Sequence, residues 1–177
     1  HVPLSYMVPY QKTFVKKHLF QKPSNLTNIA FLNSTADKGG YYAKKRGFKN
    51  IILMNFANRH GPGGGYLNGA CAQEEDLCRC FPQLYQSILR TNAYPFDLQN
   101  VICSEPCLCI RDSNTYNFLP KQNWENFFFV TAAAPNIRYG GEVFNKDRTT
   151  RTFVNTLLSP IIKFGLHKQS NNCLVLG

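Results

Sequence analysis

The sequence lacks a long apolar run. No uninterrupted apolar stretch in the 177 residues approaches the roughly 20 that a helix needs to cross a bilayer, so we expect no membrane association. The first ten residues contain two prolines and no long apolar segment, which is unlike a secretory leader. We therefore expect a cytoplasmic protein, or one delivered into the cytosol of a host cell.

Acidic residues are scarce, with ten Asp and Glu against 20 Lys and Arg and a formal net charge of +10. Such an excess favours encounter with polyanions, including nucleic acid. The basic residues are scattered in short groups, such as residues 44–46, and form no continuous stripe. A nucleic-acid-binding domain is therefore the weaker alternative, and a basic surface without a polyanionic partner explains the charge equally well.

The seven cysteines include no pair with the two-residue spacing of structural zinc sites. Their odd number and the absence of a leader predict free thiols in a reducing compartment. We expect no metal and no cofactor. Cys71 and Cys78 could supply a nucleophile, but the spacing suggests no histidine to pair with either of them.

The composition, with 44% hydrophobic and 14% aromatic residues, predicts one folded domain over residues 1–177. We expect it to be a monomer, although the sequence does not determine the oligomeric state. Short apolar runs alternate with helical patterns, which indicates an α/β fold with helices on both faces of a sheet. Residues 1–45 are interpreted as an N-terminal helical cap. Strands are predicted at residues 51–54, 101–103, 108–110, 127–131 and 173–176, and helices at residues 70–80, 82–89 and 148–164.

The residues most suited to chemistry lie between positions 58 and 75. A glycine triplet follows the strand at residues 51–54, and ligands of open α/β sheets gather at the carboxyl ends of strands. Glycines let backbone N–H groups approach a phosphate or a sugar, although Gly-Pro-Gly is also ordinary turn chemistry. Seven residues separate the triplet from the Gln-Glu-Glu run that ends in two adjacent glutamates. The candidate site residues are Asn58, Gly63, Gly64, Gly65, Gln73, Glu74 and Glu75.

Glu74 and Glu75 are adjacent, and neighbouring residues on a helix point about 100° apart. One carboxylate could therefore face a substrate hydroxyl while the other reaches the bond to be cleaved. Two carboxylates in contact raise one another's pKa, which would keep one protonated near neutral pH as a general acid. A solvated acidic turn at a helix N-terminus explains the same residues without any chemistry.

Taken together, Asn55-Phe56-Ala57-Asn58, the glycine triplet, the spacer and Gln73-Glu74-Glu75 resemble the signature of poly(ADP-ribose) glycohydrolases, which belong to the macrodomain superfamily. The flanking sequences at residues 65–70 and 131–136 are similar to the microbial branch of that family. The resemblance runs from about residue 50 to residue 177.

This resemblance implies a three-layer α/β/α macrodomain with a mixed central sheet. It also implies an enzyme that binds ADP-ribose and hydrolyses the O-glycosidic bond at its distal ribose, removing ADP-ribose from poly(ADP-ribose) or from a modified protein. Glu75 would protonate the leaving oxygen and then activate water, while Glu74 would hold ribose hydroxyls. Asn58 would bind the same ribose, Gln73 would support the loop, and Gly63, Gly64 and Gly65 would line the diphosphate and the distal ribose.

The resemblance further implies a second glycine-containing loop that wraps the diphosphate after the final strand. We expect this loop to lie past Gly177. A reader domain that binds ADP-ribose without cleaving it is the alternative if the protein lacks that loop.

Overall fold

The structure is a computed structural model that describes residues 1–9, 28–133, 145–169 and 171–176. Within these ranges the chain forms strands and α-helices joined by loops, some of which contain single 3₁₀ turns. In chain order they are β1 (Ser5–Val8), α1 (Ala36–Lys45), β2 (Asn50–Phe56), α2 (Gln73–Cys80), α3 (Pro82–Leu89), β3 (Val101–Cys109), β4 (Glu125–Ala132), α4 (Lys146–Lys163) and β5 (Asn172–Val175).

The strands form one sheet in the order β1-β3-β4-β2-β5. Strand β2 is parallel to both β4 and β5, whereas β3 is antiparallel to β1 and β4. The sheet is therefore mixed, as predicted. Because β2 and β4 are parallel neighbours, their carboxyl ends meet at one edge, at Phe56 and Ala132.

Helices cover both faces of the sheet. Leu53 and Phe129 point into the core formed with α1, α2 and α3, while Ile52 and Val130 point into a second cluster that includes Ile161 of α4. This alternation along the strands is what a strand with both faces buried produces. The three-layer α/β/α arrangement is confirmed.

The two short strands predicted at residues 101–103 and 108–110 are one strand, β3. Its pairing with β4 shifts register between Ser104 and Cys107. Pro106 lies at this irregularity, and a proline cannot donate to the ladder, so it is found at bulges. The apparent break in the sequence is a bulge inside a continuous strand.

The predicted N-terminal helical cap over residues 1–45 is wrong at its start. Ser5–Val8 is a strand that pairs antiparallel with residues 101–104. Pro3 and Pro9 flank this segment, and the residue before a proline is disfavoured in helical conformation. Residues 10–27 lie outside the described residues, and α1 (Ala36–Lys45) is helical.

The helices differ slightly from their predicted bounds. Helix α2 begins at Gln73 rather than at residue 70, and α4 continues through Pro160. In the part of the chain that the structure describes, no helix is both long and apolar enough to cross a membrane.

Candidate active site

The side chain of Gln73 joins the start of α2 to the end of β2. Its Oε1 accepts a hydrogen bond from the backbone N–H of Phe56 at 2.8 Å, and its Nε2 donates to the carbonyl of Met54 at 2.7 Å. Strand β5 pairs with β2 only as far as Leu53. The amide of Gln73 therefore replaces a neighbouring strand along the last residues of β2 and holds α2 against the sheet edge.

Glu74 is buried, with 3% of its surface exposed. Its Oε2 accepts the backbone N–H of Asn58 at 2.7 Å, and its Oε1 accepts the N–H of Gly63 at 3.1 Å. The Nδ2 of Asn55 lies 3.4 Å from the same Oε1. The carboxyl group is thus surrounded by donors from the strand end and from the glycine triplet.

These surroundings act on the pKa of Glu74 in opposite directions. Burial raises it, to about 7, and the charge of Glu75 adds to the rise, while the donors from Asn58, Asn55 and Gly63 lower it. Burial is the largest effect because removing a carboxylate from water disfavours its charged form. A protonated carboxyl group is therefore available on Glu74 near neutral pH.

Glu75 occupies a different position. Its Oε1 accepts the N–H of Gly65 at 2.8 Å, and its Oε2 accepts the N–H of Ala72, the residue that precedes α2, at 3.1 Å. The second bond is half of a capping box, in which the third helical residue satisfies the N-cap donor. Glu74 and Glu75 therefore accept hydrogen bonds from different backbone donors, which hold each carboxyl group separately.

The glycine triplet closes over this pair of carboxyl groups. Gly63 and Gly65 donate to the glutamates, and the N–H of Gly64 lies 3.3 Å from the carbonyl of Gly61. A Cβ on Gly64 would lie 2.5 Å from Glu75 Oε1 and 3.1 Å from Glu74 Oε2. The N–H groups predicted to approach a phosphate are engaged inside the protein, and the absence of a side chain on Gly64 lets the backbone pack closely against both carboxyl groups.

Asn58 is exposed beside the triplet. Its Oδ1 accepts the backbone N–H of His60 at 2.8 Å, which fixes the amide in an Asx-type turn. Among the described residues its Nδ2 has no hydrogen-bond partner. This donor is oriented at the rim of the site, where a ligand hydroxyl could accept it.

Two residues that border the site were not among the candidates predicted from the sequence. Asn55 is fully buried, donates to both Glu74 and Thr131, and retains an Oδ1 that no described group satisfies. A polar residue at the end of an otherwise apolar strand is the sequence signal for it. No sequence pattern indicated Tyr85. Its ring lies beside Gly63, where a Cβ would be 2.7 Å from Tyr85 Cδ2. The centroid of the same ring lies 5.1 Å from that of Tyr66.

A polar network behind α2 supports the spacer. Arg79 Nη1 donates to Asp76 Oδ1 at 3.0 Å, and the Oη of Tyr116 donates to the same oxygen at 2.6 Å. Arg79 also donates through Nη2 to the carbonyl of Ala70. The segment between the triplet and the glutamates is therefore tied to α2.

The thiols near the site do not resemble catalytic cysteines. Cys71 is exposed and Cys78 is buried, and burial raises the pKa of the Cys78 thiol, which opposes nucleophilic attack by a thiolate. Among the residues that the structure describes, no group of three or more His, Cys, Asp and Glu side chains could hold a metal ion.

The candidate site lies inside a match to a known protein family. A family model described as "Microbial-type PARG, catalytic domain" matches residues 4–117. The match begins well before residue 50, where the sequence resemblance was expected to start, and it includes β1. No curated protein sequence matches the chain.

Several solved structures share the fold. The chain is similar to the poly(ADP-ribose) glycohydrolase (PARG) of Thermomonospora curvata, with a TM-score of 0.75 and 22% identity over 96% of this chain and 64% of that one. It is similar to the PARG of Deinococcus radiodurans in complex with ADP-ribose, with a TM-score of 0.73 and 23% identity over 88% of this chain and 68% of the other. A T. curvata structure bound to the inhibitor ADP-HPD gives a TM-score of 0.70 at 21% identity, over 96% of this chain and 63% of that one. The chain spans less than two thirds of the length of the T. curvata protein.

Proposed function

The chain belongs to the microbial-type PARG catalytic-domain family, and on that premise we propose that it is an ADP-ribosyl glycohydrolase. It binds ADP-ribose and hydrolyses the O-glycosidic bond at the distal ribose, releasing ADP-ribose from poly(ADP-ribose) or from a modified protein. The observation that carries the proposal is the placement of Gly64 against both carboxyl groups, 2.5 Å and 3.1 Å from the position of a Cβ. Both carboxyl groups therefore lie beside the same backbone position and border one site.

Glu75 is proposed as the acid and then the base. It gives its proton to the leaving oxygen as the bond from the anomeric carbon to that oxygen breaks, and the ribose passes through an oxocarbenium-like state. The Glu75 carboxylate then takes a proton from a water molecule that attacks the anomeric carbon, which restores the acid. The N–H groups of Gly65 and Ala72 hold its two oxygens in place through both steps.

Glu74 is proposed to hold the hydroxyls of the distal ribose. With its pKa raised to about 7 by burial, this carboxyl group can both donate to and accept from a hydroxyl near neutral pH. Asn58 would donate its Nδ2 to the same ribose, and Gln73 would keep both glutamates in position through its bonds to β2. Gly63, Gly64 and Gly65 would line the diphosphate and the distal ribose.

Release of free ADP-ribose tests this proposal. The protein is incubated with a poly(ADP-ribosyl)ated protein and, separately, with a mono(ADP-ribosyl)ated one, and ADP-ribose is measured by chromatography. Release from either substrate supports a hydrolase, and the faster reaction identifies the bond. Saturable binding of ADP-ribose by calorimetry without release from either substrate would instead favour the reader alternative, and no binding at all would exclude both.

A further inference from the structure

Two cavities, of about 550 Å³ and 270 Å³, border helix α1. Asp37, the second residue of α1, lines both of them, so they meet at the start of this helix. The smaller cavity is bordered by Gln73, which directly precedes Glu74 in the sequence. The larger cavity extends to Lys45, the last residue of α1. We call the two cavities together the α1 cleft.

The α1 cleft leads away from the candidate active site. That site lies at the carboxyl end of β2, which is parallel to β4. Near the other end of α1, Lys44 Nζ lies 3.0 Å from Oε2 of Glu125, the first residue of β4. A helix rises 1.5 Å per residue, so the 10 residues of α1 span about 15 Å. The cleft therefore runs from beside Gln73 towards the opposite edge of the sheet.

Most of the cations in the α1 cleft are not neutralised by an acid of the protein. The larger cavity is lined by Lys38, Lys44, Lys45 and Arg111. Lys44 is paired with Glu125, but Lys38 Nζ donates to the neutral side chain of Asn114 at 2.7 Å. Lys45 is exposed, and no group among the described residues bonds to its ammonium group. These cations remain available to a bound anion.

The acids that border the cleft are mostly engaged within the protein. They are Asp37, Asp76, Asp112 and Glu125. Asp76 is paired with Arg79 at 3.0 Å, and Asp112 Oδ1 accepts the backbone N–H of Asn114 at 2.9 Å. Asp37 lies where the two cavities meet, and a carboxylate beside a nucleotide commonly accepts the hydroxyls of its ribose. The cleft therefore offers a hydroxyl acceptor at its start and cations further along.

Exposed aromatic rings accompany these cations. Tyr42, 42% exposed, lines the larger cavity, and its ring centroid lies 5.8 Å from Cζ of Arg46. Phe118 is 64% exposed, and its ring centroid lies 3.9 Å from Cζ of Arg111. A ring with a neighbouring cation is the arrangement on which proteins stack the bases of a single strand while they bind its phosphates. The α1 cleft therefore fits a ligand that alternates bases with phosphates.

On the premise of the proposed function, we propose that the α1 cleft binds the poly(ADP-ribose) chain next to the unit that is hydrolysed. Each unit of this polymer contains an adenine, two riboses and a diphosphate. Asp37 accepts ribose hydroxyls, Lys38 and Lys45 bind the diphosphate, and the adenine stacks on Tyr42. The polymer is therefore the preferred substrate, because a single ADP-ribose group on a protein cannot fill both the active site and the cleft.

The experiment compares the affinities of the protein for the polymer and for its single unit. Binding of an end-labelled poly(ADP-ribose) chain is measured by stopped-flow anisotropy, which records binding before turnover, and binding of free ADP-ribose is measured by calorimetry. Tyr42→Ala combined with Lys45→Gln should weaken polymer binding by about tenfold or more, since a stacked base and a phosphate contact are lost. ADP-ribose affinity, and release of ADP-ribose from a mono(ADP-ribosyl)ated protein, should stay native. Native polymer affinity in this double variant would overturn the proposal.

Lys168→Gln is the matched control. Lys168 is exposed and ends the 3₁₀ turn that begins at Leu166, a residue of the core cluster on the other face of the sheet. The substitution removes the same charge outside the cleft and should change neither affinity. Polymer binding that weakens equally in Lys168→Gln and in Lys45→Gln would show a general effect of charge and contradict a site in the cleft.

The salt dependence of polymer binding gives a second measurement on single, exposed substitutions. Each phosphate contact of a single strand contributes about 0.7 to the slope of log K against log salt. Lys38→Gln and Lys45→Gln should each lower this slope by about that amount, and Lys168→Gln should not. An unchanged slope in both cleft variants would contradict a diphosphate site.

Two further outcomes separate the α1 cleft from the active site and from nucleic acid. A native chain that neither binds nor releases ADP-ribose would overturn the proposed function and this inference with it. If instead ADP-ribose is released normally and only the effect of the cleft variants is absent, the cleft proposal alone fails. A labelled single-stranded oligoadenylate of equal charge is the comparison ligand, and tighter binding of it than of poly(ADP-ribose) would overturn the assignment of the cleft to the polymer.

Discussion

Gly64 and Glu75 are packed so closely that a single methyl group could not be placed between them. A Cβ built on Gly64 would lie 2.5 Å from Glu75 Oε1, and the backbone of this glycine has a φ of +53°. The glycine therefore provides both a left-handed turn and a close approach of the backbone to the carboxyl group. No other glycine of the triplet has a Cβ position within 3.4 Å of a glutamate oxygen.

Gly64→Ala should abolish turnover while the chain still folds. The methyl group displaces both carboxyl groups, and misplacement of catalytic groups by about 1 Å costs on the order of 100-fold in rate. The left-handed conformation adds about 1–2 kcal/mol of strain. Gly69→Ala is the matched control, since Gly69 has a φ of +79° with nothing within 4 Å of its Cβ position. Initial rates and melting temperatures of both variants separate the effect of backbone strain from that of the clash. A Gly64→Ala variant with native activity would contradict the proposed role of this close contact.

Gln73→Ala should destabilise the protein and reduce its activity. It removes the hydrogen bonds to the N–H of Phe56 and the carbonyl of Met54, and each such bond contributes about 0.5–1.5 kcal/mol to stability. Gln86→Ala, on the exposed side of α3, is the control and should change the free energy of unfolding little. Urea unfolding measures both, and equal stability of the two variants would contradict the bridging role of Gln73.

The raised pKa of Glu74 predicts a pH dependence of stability. Burial raises this pKa from its ordinary value of 4.5 to about 7 in the folded chain, so between these values the unfolded chain has lost the proton that the folded chain retains. Stability from this group is fully present below about pH 4.5, falls as the pH rises to 7, and is constant above it. Glu74→Gln should flatten the melting temperature between pH 4.5 and 7, whereas Asp147→Asn should not. An unchanged slope in Glu74→Gln would exclude the shift.

The thiols should be dispensable for activity. Iodoacetamide should label Cys71, which is exposed, and leave Cys78 unmodified because it is buried and its pKa is raised. Cys71→Ala should retain the native rate of ADP-ribose release. Loss of activity in this variant would revive the cysteine-nucleophile alternative.

The elements that could be predicted from the sequence are those in which local pattern and tertiary environment agree. The apolar run at residues 51–54 lies within a largely buried strand, and Pro82 begins α3 because the first helical position needs no N–H bond. Strand β1 could not be predicted, since it depends on pairing with residues 101–104, which lie far along the chain. Pro106 led to a wrong prediction for the opposite reason. Its local sequence indicates a break between two strands, whereas β3 pairs with β4 on either side of it.

The candidate site was likewise predictable only where it depends on residues that are close in the sequence. The short spacing between the triplet and the glutamates predicted that they lie together at the end of β2, because the loop and the helix that carry them directly follow that strand in the sequence. The direction of the hydrogen bonds was not accessible: Gly63 and Gly65 donate inward to Glu74 and Glu75, and which glutamate is more buried depends on how α2 packs. Tyr85 lies at the site because α3 packs against the glycine triplet, a contact that no local pattern specifies.

The division of labour between the two glutamates is tested most directly by comparing Glu74→Gln and Glu75→Gln. For each variant, ADP-ribose affinity is measured by calorimetry and ADP-ribose release from a poly(ADP-ribosyl)ated protein is measured under single-turnover conditions. The account predicts that Glu75→Gln binds ADP-ribose with near-native affinity and releases none from the polymer, while Glu74→Gln loses affinity. A Glu75→Gln variant that releases ADP-ribose at the native rate would contradict it.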